Sequence, residues 1–124
     1  MIQLNYRDSK PIYEQIKDGL RKLIVSNSLG ANEKLPSVRE LASSLAINPN
    51  TIQRAYRDME SEGYIYTVAG KGTFVAEREE IWNVRQHELL TEFDEVVEEL
   101  FFLSVDKAEL VGRMEHLAEG GERT

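Results

Sequence analysis

The stretch Ile47 to Glu62, INPNTIQRAYRDMESE, decides how the rest of the chain is interpreted. On a helical wheel of about 100° per residue, one side of it is apolar and consists of Ile52, Ala55, Tyr56 and Met59. The opposite side carries Asn50, Arg54 and Arg57, whose amide and guanidinium groups can bind base edges and phosphates. The pattern predicts a helix with one face on a core and the other on a partner, and the polar face favours DNA.

Two sequence signals for the start of a helix occur here, one upstream of this stretch and one at its second residue. Ser37 and Glu40 have the S-x-x-E spacing of a capping box, in which the hydroxyl and the carboxylate each satisfy a free backbone N–H. Asn48 followed by Pro49 is typical of an N-cap and a first helical turn. Because roughly three residues separate the two helices, the pattern predicts a helix-turn-helix.

An additional helix is predicted upstream of this pair. Apolar residues recur every three or four positions from Ile12 to Ile24, which predicts an amphipathic helix from Pro11 to about Ser26. The residues from Ser28 to Leu35 are predicted to form a loop that leads to the capping box.

Downstream, Gly63 is predicted to end the helix, and two segments rich in β-branched and aromatic residues follow. These segments, residues 64–68 and 73–75, flank the turn Ala69-Gly70-Lys71-Gly72 and predict a β-hairpin. A helix-turn-helix followed by such a hairpin is a winged helix, with Lys71 at the tip of the wing. The predicted fold class is therefore mainly α with a small β-hairpin.

After Glu77 the sequence becomes acidic and strongly helical. Its apolar residues recur at steps of four and three, and Asp106 can cap a second helix, so an α-hairpin with a frayed tail from Glu119 to Thr124 is predicted. Two helices alone cannot bury so much apolar surface, and pairing with a second copy of the chain is expected. The predicted dimer interface consists of Leu89, Phe93, Val96, Val97, Leu100, Phe101, Leu110 and Met114.

The formal net charge of −7 is divided unevenly along the chain. Residues 1–76 contain 10 Lys and Arg against 8 Asp and Glu, a balance of +2, whereas residues 77–124 contain 5 against 14, a balance of −9. Such asymmetry favours two roles, with the first part able to approach a polyanion. We predict a DNA-binding domain over residues 1–76 and a dimerisation domain over residues 77–124.

Composition and motifs exclude several classes of protein. With 41% hydrophobic and 30% charged residues, and with no long apolar run or signal-peptide pattern, a globular cytoplasmic protein without membrane association is expected. Zero cysteines leave no disulfide or thiolate chemistry. His87 and His116 lack ligand spacing, so solvated histidines rather than a metal site are expected. Without phosphate-loop or nucleophile motifs, neither an enzyme nor a cofactor is expected.

Several spaced blocks of residues 6–76 together resemble the GntR family of bacterial transcriptional regulators. The blocks are Pro11–Ile16, Lys34–Ala42, Asn48–Tyr56, Glu62–Ile65 and Gly70–Val75. The short helical C-terminal part is similar to the YtrA subfamily, whose members are dimeric repressors often encoded beside ABC transporter genes. The resemblance implies a homodimeric repressor that binds a palindromic operator in double-stranded DNA and controls a transporter operon.

Carried over residue by residue, the resemblance implies DNA contacts from the second helix, the third helix and the tip of the wing. The predicted contact set is Ser37, Arg39, Asn48, Asn50, Thr51, Gln53, Arg54, Arg57, Lys71 and Gly72. The chain departs from the family at two positions, because many members have arginine in place of Pro49 and of Gln53. The base preferences of those relatives therefore do not transfer.

Two alternatives stay open at this point. Arg54 and Arg57 also fit a solvated helix face with local ion pairs, such as Arg54 with Asp58. The whole chain also fits a winged-helix protein-interaction module whose acidic helices dock a partner, which would have acids neutralising the third helix and the wing.

If a small-molecule effector exists, the α-hairpin has too little volume for it, and it has to bind between subunits or between domains.

Overall fold

The computed structural model describes residues 2–122, with side chains through residue 120. In this part of the chain the helices are α1 (Ile12–Val25), α2 (Val38–Leu45), α3 (Pro49–Glu62), α4 (Arg78–Phe102) and α5 (Lys107–Glu122), and the strands are β1 (Ile65–Val68) and β2 (Gly72–Val75). The predicted fold class, a winged helix-turn-helix followed by two helices, is confirmed. The chain divides into two units between Gln86 and His87, inside α4.

Ser37 and Asn48 cap α2 and α3 as predicted, but only half of the predicted capping box forms, because among the described residues the Glu40 carboxylate accepts no hydrogen bond from the Ser37 N–H. The Ser37 hydroxyl oxygen accepts a hydrogen bond from the backbone N–H of Glu40 at 3.1 Å. The Asn48 side-chain oxygen accepts one from the backbone N–H of Asn50 at 2.8 Å, and Pro49 occupies the first turn. Both contacts satisfy backbone donors that have no partner inside their helix. Gly63 ends α3, also as predicted.

The turn between α2 and α3 is formed by Ala46, which has a positive φ of 56°. The backbone N–H of Ile47 then donates to the Ala42 carbonyl at 2.9 Å, which closes the end of α2. A left-handed conformation is unfavourable for a residue with a Cβ, by about 1–2 kcal/mol. The short connection is therefore achieved at a local cost in backbone energy.

The core of the first unit joins the apolar faces of α1, α2 and α3 to the hairpin and to the beginning of α4. All four residues predicted for the buried side of α3 are buried, with Ile52, Ala55 and Met59 at 0% exposure. Ile81 of α4 is also buried in this core. The remaining members are Ile16, Leu20, Ile24, Leu35, Leu41, Ala42, Tyr56, Tyr64, Ile65, Val75 and Ala76. This packing fixes which side of α3 faces outward.

The wing is an antiparallel pair in which Ile65 lies opposite Val75 and Val68 opposite Gly72. The segment before α2, predicted as a loop, is extended and pairs with the outer edge of β2. The backbone N–H of Leu35 donates to the Thr73 carbonyl, and that of Val75 to the Glu33 carbonyl, at 2.8 and 2.9 Å. The prediction missed this pairing because it joins residues about 40 positions apart, beyond the reach of a local pattern.

The second unit contains the end of α4, a turn at Ser104, and α5. Ser104 has a positive φ of 68°, and the backbone N–H of Val105 donates to the Leu100 carbonyl at 3.0 Å. The predicted frayed tail is wrong from Glu119 to Glu122, because α5 continues to Glu122; residues 123 and 124 lie outside the described residues. From residue 82 to residue 120 no side chain is buried. No described helix has the length and apolar character needed to cross a membrane.

Candidate nucleic-acid interface

The outward side of α3 is polar and accessible. Asn50, Gln53, Arg54 and Arg57 are exposed, and Thr51 is half-buried. The first turn of this helix contains no acidic residue. Because backbone N–H groups at a helix N-terminus carry a partial positive charge, this end of α3 favours an anion such as a phosphate.

The beginning of α2 lies next to α3 because Tyr56 joins the two. Its hydroxyl donates a hydrogen bond to the Pro36 carbonyl at 2.7 Å, just before the cap residue Ser37. Burial, with a smaller contribution from Glu40, raises the pKa of Tyr56 to about 12, so the hydroxyl stays a donor at neutral pH. Arg39, in the first turn of α2, is exposed.

The two predicted contact residues that cap helices keep donor groups for a ligand. Ser37 and Asn48 each use one oxygen to accept a backbone hydrogen bond. The Ser37 hydroxyl hydrogen and the Asn48 amide N–H groups remain donors on exposed side chains. Both residues can therefore support their helix and contact a phosphate at once.

The tip of the wing carries two cations. Lys71 is exposed, and its backbone N–H donates to the Val68 carbonyl at 2.9 Å, which closes the turn. The side chain of Lys34 crosses Gly72: a Cβ placed on that glycine would be 2.8 Å from Lys34 Cε. Lys34 was missed as a candidate contact because only the pairing of its segment with β2 brings it to the wing.

A shallow groove of about 490 Å³ separates α3 from the wing. Its lining residues are Val38, Gln53, Tyr56, Arg57, Glu60, Thr67 and Thr73. Glu60 is the acid of this lining, and its carboxylate accepts a hydrogen bond from the Thr67 hydroxyl at 2.7 Å. Gln53 and Arg57 therefore border the side of α3 that faces the wing.

Arg54 lies on the other side of α3 and contacts α1. Its guanidinium carbon is 3.8 Å from the centroid of the Tyr13 ring. The local ion pair considered for Arg54 with Asp58 is absent from the described residues, since Asp58 instead pairs with Lys17 at 3.6 Å. Tyr13 was missed by the sequence analysis because 41 positions separate it from Arg54 and no periodic pattern relates the two.

Three acids of α1 and α3, namely Asp18, Asp58 and Glu62, are paired with cations of α1 and of the segment before it. Lys17 also binds Glu62, and Asp18 binds Lys10 and Arg21 at 2.6 and 2.9 Å. Burial raises the pKa of Asp18, but the hydrogen bonds from Lys10 and Arg21 outweigh it and hold that pKa below its usual value. The same contact with Asp18 raises the pKa of Lys10.

The cations around α3 are not neutralised in this way. Within residues 2–120, no ion pair engages Arg39, Arg57 or Lys71. The neutralisation expected of a protein-interaction module is therefore not found on these groups. The outer side of α3, the first turn of α2 and the wing carry these cations without ion pairs, beside the exposed carboxylates of Glu40 and Glu60, and we call this surface the basic face.

The residues predicted for a dimer interface lie in the second unit and keep much of their surface open. Leu89, Phe93 and Met114 are each 44% exposed, Val96 is 56% exposed and Phe101 is 48% exposed. The other three, Val97, Leu100 and Leu110, are half-buried. Among the described residues, no group of three or more His, Cys, Asp or Glu could hold a metal ion.

A helix-turn-helix with a basic wing defines a winged-helix DNA-binding protein, and comparison with known proteins identifies the family. Residues 12–75 match the model of the bacterial regulatory proteins of the gntR family. The chain is 41% identical over 117 residues to the HTH-type transcriptional regulator YhcF of Bacillus subtilis, covering 94% of this chain and 97% of that protein. The chain belongs to the GntR family of transcriptional regulators, which are not enzymes.

Other relatives support the YtrA-like subfamily and the fold. The HTH-type transcriptional repressor YtrA of Bacillus subtilis is 47% identical over 77 residues, which are 62% of this chain and 59% of that protein. A GntR family regulator from Listeria monocytogenes has a similar structure, with a TM-score of 0.71, 36% identity and coverage of 88% of this chain and 96% of that one. The DNA-binding domain of AraR in complex with an operator has a TM-score of 0.53 and 32% identity, covering 60% of this chain and 89% of that one.

Proposed function

We propose that this regulator is a homodimeric repressor that binds a palindromic operator through the basic face. The observation that carries the proposal is that Arg39, Arg57 and Lys71 surround α3 without carboxylate partners, while nearby acids such as Asp58 and Glu62 are engaged by α1. Uncompensated cations around a helix with an accessible polar side are what a DNA backbone and major groove require. DNA binding also implies a cytoplasmic location.

The proposed contact set is the one predicted from the sequence, with Lys34 added at the wing. In this proposal Asn50, Thr51 and Gln53 read base edges, because amides and hydroxyls can donate and accept at the major groove. The remaining members hold the two phosphate backbones and so set affinity and register rather than sequence. The operator-bound AraR domain supports this use of the fold.

We propose that residues 77–124 form the dimerisation domain, with the bounds predicted from the sequence. The argument is the open apolar surface of the second unit, where Phe93 and Val96 are 44% and 56% exposed and no side chain of residues 87–120 is buried. Contiguous apolar surface of this kind is rare on a monomer and marks an interface. A two-fold dimer presents two identical DNA-binding units, and the operator is then palindromic to match.

The name of the YtrA relative supports repression, and the resemblance to its subfamily supports a transporter operon as the target. Deleting the gene and measuring transcripts of neighbouring genes tests both points. Derepression of an adjacent transporter operon is expected, whereas reduced transcription of the same genes would indicate an activator.

The DNA-binding proposal is tested by a gel-shift titration of the full chain on DNA from upstream of its own gene. Arg57→Ala and Lys71→Ala each remove a proposed phosphate contact, so each is expected to weaken binding to all sequences alike and to reduce the salt slope by about 1. Arg113→Ala is the matched control, because it also removes one arginine but from an exposed position of the second unit.

Two results would contradict the proposal. No retardation of wild-type protein by any duplex at low salt would favour the protein-interaction module instead. Equal losses for Arg57→Ala and Arg113→Ala would show that net charge, and not the basic face, governs binding.

A further inference from the structure

Tyr13 and Arg54 form a close cation–π contact between α1 and α3. The Arg54 guanidinium carbon is 3.8 Å from the ring centroid, closer than Arg78 to Trp82 at 4.9 Å or Arg21 to Tyr64 at 5.8 Å. Tyr13 is half-buried in the first turn of α1, and its hydroxyl donates to the Glu14 carboxylate at 3.2 Å. Partial burial of the ring, which does not require this hydrogen bond, limits the movement of the surface against which the guanidinium packs.

This contact orients Arg54 without neutralising it. The aromatic ring covers one face of the guanidinium, whereas the N–H donors point outward in its plane. Asp58, the acid one helical turn further along α3, pairs with Lys17 instead. Among residues 2–120, Tyr13 is thus the side chain that contacts the Arg54 guanidinium, and Arg54 stays exposed.

The position of Arg54 on α3 differs from that of the other polar residues. Gln53 and Arg57 line the groove beside the wing, whereas Arg54 faces α1. A major groove is about 12 Å wide and is bordered by a phosphate backbone on each side. With α3 in the groove, a cation on the α1 side meets the backbone opposite to the one nearest the wing.

We propose that Tyr13 is a positioning residue that holds Arg54 against the phosphate backbone on the α1 side of α3. This inference rests on the proposed DNA-binding function and assigns Arg54 to affinity rather than to base reading. Without the ring the guanidinium samples other rotamers, so its contact with the phosphate is made in only part of the complexes, which lowers affinity and releases fewer counterions on average.

The test uses the full chain and a duplex of about 30 base pairs, enough for two half-sites, recovered by selection of wild-type protein on a random library. Arg54→Ala is expected to lower affinity about tenfold, or 1.4 kcal/mol, and to reduce the slope of log affinity against log salt by about 0.9 per lost phosphate contact. Tyr13→Leu keeps apolar volume but removes the ring, and should lower both quantities in the same direction. Tyr13→Phe keeps the ring and should bind as wild type.

The double variant and a base-substitution panel decide the outcome. Tyr13→Leu combined with Arg54→Ala should bind no more weakly than Arg54→Ala alone, and neither variant should change discrimination among duplexes with single base substitutions. Additive losses, a wild-type salt slope in Tyr13→Leu, or relaxed discrimination in Arg54→Ala would overturn the proposal. Arg113→Ala controls for the loss of one charge.

Two further readouts keep the test decisive. Thermal unfolding of each variant shows whether a loss of DNA affinity is due to misfolding. Misfolding lowers the fraction of active protein but does not change the salt slope. Arg54→Lys leaves α1 unchanged and keeps the charge, but it lacks the planar group that packs on the ring. It should therefore bind DNA at least threefold more weakly than wild type. Wild-type affinity of this variant would overturn the positioning role of Tyr13. If wild-type protein retards no duplex, the proposed function fails, which is a different result from any of these.

Discussion

The two units of the chain differ in where their apolar side chains go. In residues 2–86 the apolar faces of the helices and of the hairpin are buried against each other, with Ile16, Ile52 and Tyr64 at 0% exposure. In residues 87–120 no side chain is buried, although Phe93, Val96 and Phe101 recur at helical spacing. The same kind of apolar stripe therefore serves two purposes, an internal core in the first unit and an open surface in the second.

Helical periodicity alone therefore does not distinguish a core from an interface. The several short elements of the first unit bury their apolar surfaces against one another, whereas the two helices of the second unit leave theirs exposed. Stability of the first unit should therefore be independent of protein concentration, and order in the second should depend on association.

The largest expected effect comes from placing a charge on the open surface. Phe93→Asp would place one carboxylate from each protomer in a symmetric apolar interface, and weakening of the dimer by about 3–5 kcal/mol is expected. Sedimentation equilibrium measures the change. Thr91→Asp adds the same charge to an exposed position of α4 and should leave the dimer intact. An undiminished Phe93→Asp dimer would place the interface elsewhere.

A smaller effect is expected inside the first unit from Tyr56→Phe. The substitution removes the hydrogen bond to the Pro36 carbonyl and should lower the free energy of unfolding by about 1 kcal/mol, at every protein concentration. Tyr66→Phe, at a more exposed hydroxyl bonded to Asn32, should cost less. Urea denaturation measures both, and equal losses would argue against burial as the cause.

Ala46→Gly is expected to stabilise the first unit by about 0.5–1 kcal/mol. Glycine removes the left-handed strain at φ 56°, and this gain exceeds the added entropy of the unfolded chain. Ala42→Gly, inside α2 and buried, should instead destabilise by about 1 kcal/mol. A loss of stability for Ala46→Gly in the same urea assay would contradict the strain argument.

The smallest expected effect is the contribution of Asp18 to the pH dependence of the free energy of unfolding. Because its folded pKa lies below the unfolded value near 3.8, its contribution is present above that value and is lost as the pH falls through the folded pKa. Unfolding midpoints measured between about pH 6 and pH 3 should show a shallower acid decline for Asp18→Asn than for wild type. Identical profiles would indicate that other carboxylates control the acid limb.

Features set by neighbouring residues were predictable from the sequence. Ser37, Asn48 and Pro49 mark helix starts because a cap needs only a backbone donor two or three residues away. The buried side of α3 followed from periodicity in the same way. The segment from Glu119 was predicted to fray, but α5 continues to Glu122.

Features set by packing between distant segments were not predictable. The outward side of α3 was identified, but its division into a wing side with Gln53 and an α1 side with Arg54 depends on neighbours remote in sequence. Lys34 reaches the wing for the same reason. Assignment of individual DNA contacts therefore stays a prediction, since it depends on both the fold and the ligand.

The two glycines of the wing differ in the range of mutations that they can accept. Gly70 has a φ of 75° and nothing within 4 Å of an added Cβ, so asparagine or aspartate can replace it at modest strain. Gly72 has a φ of 123°, outside the region that those residues tolerate, and any side chain there would also displace Lys34. In a saturation library selected for repression, position 70 should therefore diversify while position 72 stays glycine, so two positions of the same turn differ in the substitutions that they tolerate.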